Sequence, residues 1–413
     1  MTIFAAIAVP DALEEATSGQ AWLAAMLEAE AALARAEAQA GVIPADAADA
    51  IAAGCRGDFD LAEITERGRA TGTPVGPLVS ALREAVGGEA APYVHYGATS
   101  QDILDTASML VAKRALDLIL GEVDRVVTAC AGLAREHRDT VMAARTLLQQ
   151  AVPTTFGLKA AGWLVAVVEA RNGLRRIEPA ADLGGAAGTL APLGERGAEV
   201  ASLFAKELGL VEPPLPWHSN RVRVAELGSA LAVAAGVMAK IGLDVALLTQ
   251  TEVAEVSVPK GGGSSTMPQK RNAVGSALAV ACARLVTADA SVLSGGLAQE
   301  HERALGGWHA EWDALSRALA LTGGAAAAIA GLLDGLEVDA ERMRVNLDEA
   351  VLSERAVFEL GVERDALAGQ PLRDVLAERL SEDEVEVALD PSGYLGSAGA
   401  FIDRALAYAE GSS

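Results

Sequence analysis

The chain of 413 residues is short of several things that mark whole classes of protein. Its three cysteines, Cys55, Cys130 and Cys282, are scattered and odd in number, which excludes a disulfide framework or a cysteine zinc site and suits a reducing compartment. No metal-ligand spacing appears, so no metal is expected. Positive charge is scarce as well: 33 Lys and Arg stand against 56 Asp and Glu, a net charge of −23. A phosphate backbone or an anionic membrane would repel such a surface at long range, so neither is expected as a partner. No uninterrupted apolar run of about 18 residues marks a membrane span. The nearest, "GGAAAAIAGLL" at 323–333, is short and built of small residues, as tight helix packing requires. The opening "MTIFAAIAVPDALEEA" has no basic region and soon meets Pro10 and Asp11, so a signal peptide is not expected and the cytoplasm is. Alternating Val, Ile, Thr and aromatic runs bounded by turns are nearly missing, which argues against a sheet-based fold.

What the sequence has is helix, in an ordinary globular composition of 51% hydrophobic and 22% charged residues. Residues 21–40 place Trp22, Leu23, Met26, Leu27 and Ala34 on one stripe, ended by Gly41 and Pro44. Shorter helical pieces broken by "GCRGDFD", "TGTPVGP" and "VGGEAAP" follow, suiting a small N-terminal helical domain over 1–93. Long helical stretches are then expected at about 102–138, 153–178, 222–256, 273–294 and 307–336, a central bundle domain over 94–338. A helix of about 35 residues is roughly 50 Å long, more than one compact domain covers. The apolar positions of 222–256 occupy more than one face, so other subunits are the natural cover, with a monomeric bundle as the alternative. From 339 to 413 the chain is acidic and broken, as in a small C-terminal helical domain.

Four polar clusters fall at the ends of these helices. The first is "GGGSSTMPQKRN", 261–272. Its glycines free the backbone, Ser264 to Thr266 offer hydroxyls and N–H groups to an anion, Lys270 adds a point charge and Asn272 an amide. Such a set suits a carbanion stabilised by an adjacent carboxylate, with a serine moving the proton; a flexible linker is the plainer reading. The spacing of a phosphate-binding P-loop is not met. The second is "YVHYGATSQDILDTA", 93–107, where His95, Thr99, Ser100, Gln101 and Asp102 gather at a helix start. Thr99 and Ser100 could hold a carboxylate there, or could simply cap the helix. The third, "RTLLQQAVPTTFG" at 145–157, sets Arg145, Gln149 and Gln150 before a Pro-initiated helix. The fourth, "QEHERALGGWHAEW" at 299–312, carries two histidines and Arg303.

The loop G-S-S-T-M-P-Q-K-R-N resembles the GSSxMPxKxN signature of the fumarase/aspartase superfamily. "HYGATSQDILDTA", "RTLLQQAVPTTFGLKAAGW", "LGGAAGTLA", "PWHSNRVRVAE", "TEVAEV", "ERALGGWHAEW" and "DPSGYLGSAGAFIDR" look like its 3-carboxy-cis,cis-muconate cycloisomerase branch, over about residues 20–408. The resemblance implies an all-α homotetramer with a 20-helix core and active sites shared between subunits. It implies Ser264 as the catalytic serine, Lys270 and Asn272 as its anion-stabilising partners, and Thr99, Ser100 and Gln149 as substrate contacts. His95, Gln101, Ser265, Met267 and Arg303 are taken with them as substrate-binding. Where many of these lyases carry a histidine in R-T-H-x-Q, this chain has Leu147. The second acid/base group is therefore open among His95, His218, His301 and His309, while His137 reads as solvated. The C-terminal domain looks shortened. The reaction implied is cofactor-free lactonisation of a small polycarboxylate from aromatic catabolism by the β-ketoadipate route. Lys159, Arg145, Arg221, Arg223, Lys270, Arg271 and Arg303 would supply the positive charge. The alternatives are a lyase of the same fold releasing fumarate from a substituted succinate such as nitrosuccinate, and a catalytically silent structural tetramer.

Overall fold

A computed structural model of the chain describes residues 3–258, 262–263, 266–267 and 270–412. It divides into two compact units, one from 1–121, 173–235 and 282–325, the other from 122–172, 236–281 and 326–413. Helix α1 is Gly19–Gln39, opened by Ser18, whose hydroxyl accepts from the Ala21 N–H at 3.1 Å. The long helices are α2 (Ser100–Glu136), α3 (Phe156–Arg175), α4 (Val222–Leu248), α5 (Val274–Gly295) and α6 (Gly307–Asp334), each contributing a segment to both units. The fold is all-α, as the periodicity predicts.

In the first unit α1 buries Leu23, Met26, Leu27 and Leu33 and packs on the helix Gly197–Leu208, with Arg35 and Glu207 paired at 2.9 Å outside. The glycines of α6 admit the N-terminal segment closely. A Cβ on Gly324 would lie 2.4 Å from the Ala8 carbonyl oxygen, so "GGAAAAIAGLL" is a packing seam.

In the second unit the helices between 340 and 388 close over a core of their own, including Val351, Leu352, Val362, Leu372 and Leu376. Arg138 grips the C-terminal helix Ala398–Gly411 through both oxygens of Asp403 (2.6 and 2.9 Å) and the Gly399 carbonyl.

Two expectations for the second unit need correction. The stretch 145–157 is not a lead-in to a Pro-initiated helix: Val141–Thr146 (β1) and Gln149–Thr155 (β2) form an antiparallel hairpin, Pro153 pairs with Ala143, and α3 begins at Phe156. A two-stranded ribbon leaves one edge of each strand unpaired, where a missing N–H costs nothing. Helix α4 stops at Leu248, short of 256, because the chain turns to bury Glu255 beneath Arg145, with the Glu255 N–H donating to the Leu248 carbonyl at 3.0 Å. Helices α4, α5 and α6 are also long and apolar enough to cross a membrane by length and composition. Single charged residues punctuate each one, so none is an uninterrupted apolar run.

Candidate active site

The first unit holds the start of α2. Asp102 is fully buried and accepts from four donors: the backbone N–H groups of Thr99 (2.8 Å), Gly184 (2.7 Å) and Gly185 (3.0 Å), and His218 Nε2 at 2.6 Å. The bond to Thr99 is the returning half of a capping box, those from Gly184 and Gly185 tie the helix start to "LGGAAGTLA", and that from His218 ties it to "PWHSNRVRVAE". Gly185 sits at φ 69°, and a Cβ there would lie 2.9 Å from the Gly97 carbonyl oxygen, so only glycine fits. Asp182 accepts from the Trp217 N–H at 3.0 Å, while its own N–H donates to Thr106 Oγ1 at 2.9 Å. Asp102, Asp182 and His218 bring ligand-type atoms within 4.8 Å of one another. Most of those atoms are already spent on hydrogen bonds; Asp182 Oδ2 has no hydrogen-bond partner among the described residues and lies 3.8 Å from His218 Nε2. Burial pushes the Asp182 carboxyl well above its ordinary range. Asp102 and His218 form a hydrogen-bonded clasp, with Asp182 beside it. Burial alone would lower the pKa of His218, and the bond to Asp102 with the nearby Asp182 raises it instead. His218 is thereby occupied in the interior.

Gln101 is buried beside the clasp. Its amide donates to Asp105 Oδ2 (3.1 Å) and the His218 carbonyl (2.8 Å), and its Oε1 accepts from Arg303 Nε at 3.0 Å. Arg303 is exposed, and its other bond runs to the neutral Ala186 carbonyl at 3.4 Å, so its charge is uncompensated by these contacts. Arg221 is the opposite case and corrects the sequence-based tally of positive charge. It is buried between Asp105 (2.7 Å) and Glu311, with its guanidinium 4.8 Å from the Trp217 ring centroid. Two carboxylates neutralise it, leaving nothing for a substrate.

His95 is half-buried at φ 60°, with Nδ1 2.6 Å from Glu30 Oε1 on α1. Burial would lower its pKa; the charge and hydrogen bond of Glu30, with Asp102, raise it, while Arg83 opposes. Thr99 and Ser100 are half-buried at the helix start. Of the other histidines, His301 is exposed at φ 49°, and His309 is exposed with its ring against Trp308 and Trp312.

The second unit holds the hairpin and the ends of the signature loop. Ser264 and Ser265 lie outside the described residues. Gly262–Gly263 pair antiparallel with Arg271–Asn272, which brings the loop's two ends together; Lys270, Asn272 and Met267 are exposed. Gln149 is exposed on β2, opposite Thr146, and Leu147 and Leu148 form the turn. Arg145 is held by both oxygens of the buried Glu255, at 2.9 and 2.6 Å, so it too is neutralised. Sequence reasoning missed Asp182, Glu255 and Glu30 as supports. For Glu255 the signal is its place in "TEVAEV", just past a long helix; for Asp182 there is only its nearness to "LGGAAGTLA".

Polar loops set at the ends of over-long helices, with a signature loop closed by a short ribbon, define an all-α lyase of the fumarase/aspartase class. Residues 8–287 match the family model described as lyase, and the chain belongs to that family. It is 44% identical to a 3-carboxy-cis,cis-muconate cycloisomerase of Bradyrhizobium diazoefficiens, over 96% of this chain and 95% of that one. It is likewise 44% identical to a nitrosuccinate lyase of Streptomyces davaonensis, over 95% and 92%. Among solved structures it superposes on the 3-carboxy-cis,cis-muconate lactonizing enzyme from Pseudomonas putida with a TM-score of 0.93 and 38% identity, over 99% of both chains.

Proposed function

We propose that the chain is a cycloisomerase that closes 3-carboxy-cis,cis-muconate to 4-carboxymuconolactone. The observation that carries this is the near full-length likeness to cycloisomerases in both sequence and fold. One carboxylate oxygen adds to the conjugated double bond, the π electrons move to the carbon beside another carboxylate, and the resulting enolate-like anion takes up a proton. Atoms and oxidation state are conserved, so the step calls for no cofactor. Ser264 handles the proton at that carbon, while Lys270, Asn272 and the loop N–H groups offset the developing charge. Thr99 and Ser100 hold a carboxylate at the start of α2, where free N–H groups and the helix dipole favour an anion. Gln101 acts through Arg303, which it orients towards the polyanion. Gln149, Ser265 and Met267 complete the pocket. His95, backed by Glu30, serves as the second acid/base group, since Leu147 offers none and His218 is spent in the clasp.

The assembly we propose is a cytoplasmic homotetramer with active sites shared between subunits and no nucleic-acid or membrane partner. Apolar side chains left exposed on α4 and α5, among them Val233, Leu243, Leu285 and Val292, support it. A second reading, elimination from a substituted succinate, is favoured by the equal likeness to the nitrosuccinate lyase.

Incubating the protein with 3-carboxy-cis,cis-muconate should bleach the conjugated-diene absorbance. If nothing changes while nitrosuccinate yields fumarate, the cycloisomerase reading is wrong. Ser264→Ala should lower kcat by at least about 100-fold with the fold intact; full activity in that variant would remove Ser264 from the mechanism.

A further inference from the structure

Arg145 and Gln150 stand opposite each other at the base of the β1–β2 turn, one pair below Thr146 and Gln149. Their side chains leave the ribbon and converge on one residue, Asn346, which ends the short helix Ala340–Val345. On one side Arg145 forks onto both oxygens of Glu255 at 2.9 and 2.6 Å, and the Asn346 amide donates to Glu255 Oε1 at 3.0 Å. On the other side the Gln150 amide donates to the Asn346 carbonyl at 2.7 Å, while its oxygen accepts from the Asp348 N–H at 3.3 Å. These links close a ring that runs from Arg145 through Glu255, Asn346 and Gln150 and back across the ribbon. The second amide hydrogen of Asn346 goes to the Val253 carbonyl at 2.7 Å, so both of its donors are used. Every member belongs to the second unit.

The ring lies where the hairpin most needs a restraint. A two-stranded ribbon is marginally stable by itself. Leu147 and Leu148 sit at φ 50° and 68°, a conformation large side chains avoid and keep only where the surroundings over-determine it. They do not supply that restraint themselves, being 97% and 73% exposed. The ring does, because it grips both strands one pair below the turn and fixes them to the segments 253–255 and 346–348.

We propose that Asn346 and Gln150 are positioning residues, which set Gln149 against the substrate by holding the base of the turn. The inference rests on the reading above that Gln149 is a substrate contact. Neither Asn346 nor Gln150 touches the substrate in this account; both act through the ribbon. A tilt at its base is carried to the tip, and a shift of about 1 Å in a contact residue is enough to cost tenfold or more in rate.

The parent protein is first assayed with 3-carboxy-cis,cis-muconate and with nitrosuccinate, which tests the reaction, and the variants are then compared on whichever substrate it turns over. Asn346→Ala should lower kcat/KM about tenfold or more, and Gln150→Ala about threefold or more. In a Gln149→Ala background the same two changes should cost less than about twofold, since the contact they position is already gone. Equal losses in both backgrounds would mean a scaffold role only and would overturn the proposal, as would full activity in both single variants. Gln150 is exposed, so its variant stays informative if Asn346→Ala fails to fold. A second measurement needs no turnover: Gln150→Ala should speed deuterium uptake at the Asp348 amide in the free protein. Unchanged uptake there would show that the ring is not closed in solution and would sink the inference while leaving the reaction untouched.

Discussion

Glu37 is a carboxylic acid that the fold keeps uncharged. It is fully buried on α1, neither oxygen has a hydrogen-bond partner among the described residues, and burial, reinforced by the charge of Glu30, raises its pKa from 4.5 to about 9. The native state therefore holds a proton that the unfolded chain releases above pH 4.5. Stability tied to that proton is complete below pH 4.5 and falls as pH rises towards 9, by about 1.4 kcal/mol per unit for one proton. Glu37→Gln, which mimics the protonated form, should raise Tm at pH 8 and flatten its dependence on pH between 5 and 9. A variant whose Tm tracks the parent at every pH would show that Glu37 is ionised in place. The same reasoning makes Cys55 and Cys130 poor nucleophiles, since burial pushes both thiols up to about 12. Glu30 and Glu37 were open to discovery in the sequence, because with Leu23 they recur every seven residues on the buried stripe of α1. A charged residue on such a stripe reads by default as a break in the pattern, and only the partner, His95, gives it a purpose.

At the scale of elements, the long helices were legible because period and proline-free length speak together. The expected 102–138 and 273–294 fall within two residues of α2 and α5. The hairpin was not legible. Its turn is Leu147-Leu148 where Asn-Gly would announce it, its strands lack clean alternation, and Pro153 inside β2 imitates a helix start. Tertiary demands shaped that segment more than local propensity, as the pairing of Arg145 with Glu255 shows. The glycine seam of α6 carries its own prediction. Gly324→Ala drives a methyl group against backbone at Ala8, so chemical denaturation should show a loss of about 1–3 kcal/mol, although alanine is the better helix former. A gain in stability would mean that the N-terminal segment does not pack there in solution.

For the whole molecule, composition argues against a nucleic-acid or membrane partner more readily than it points to one, while the signature loop points to the lyase family. Which positive charges remain free could not be read from residue counts: Arg145 and Arg221 are cancelled by buried carboxylates, while among the described residues Arg303 is bound only to neutral groups. The apolar faces of α4 and α5 bear on assembly. Val233→Asp combined with Leu285→Asp should turn the proposed tetramer into smaller species by light scattering, with turnover lost in parallel. A parent protein that is monomeric at micromolar concentration, yet active, would defeat that expectation.

The clasp around Asp102 also acts as a clock. It locks the amide hydrogens of Thr99, Gly184 and Gly185 onto one buried carboxylate, joining segments more than 80 positions apart in the chain. Those hydrogens can trade with solvent only when the start of α2 and "LGGAAGTLA" part company. Deuterium uptake at these three sites should therefore be slow and share a single rate, and His218→Ala should quicken all three together. Three unrelated rates would show that the loops open separately.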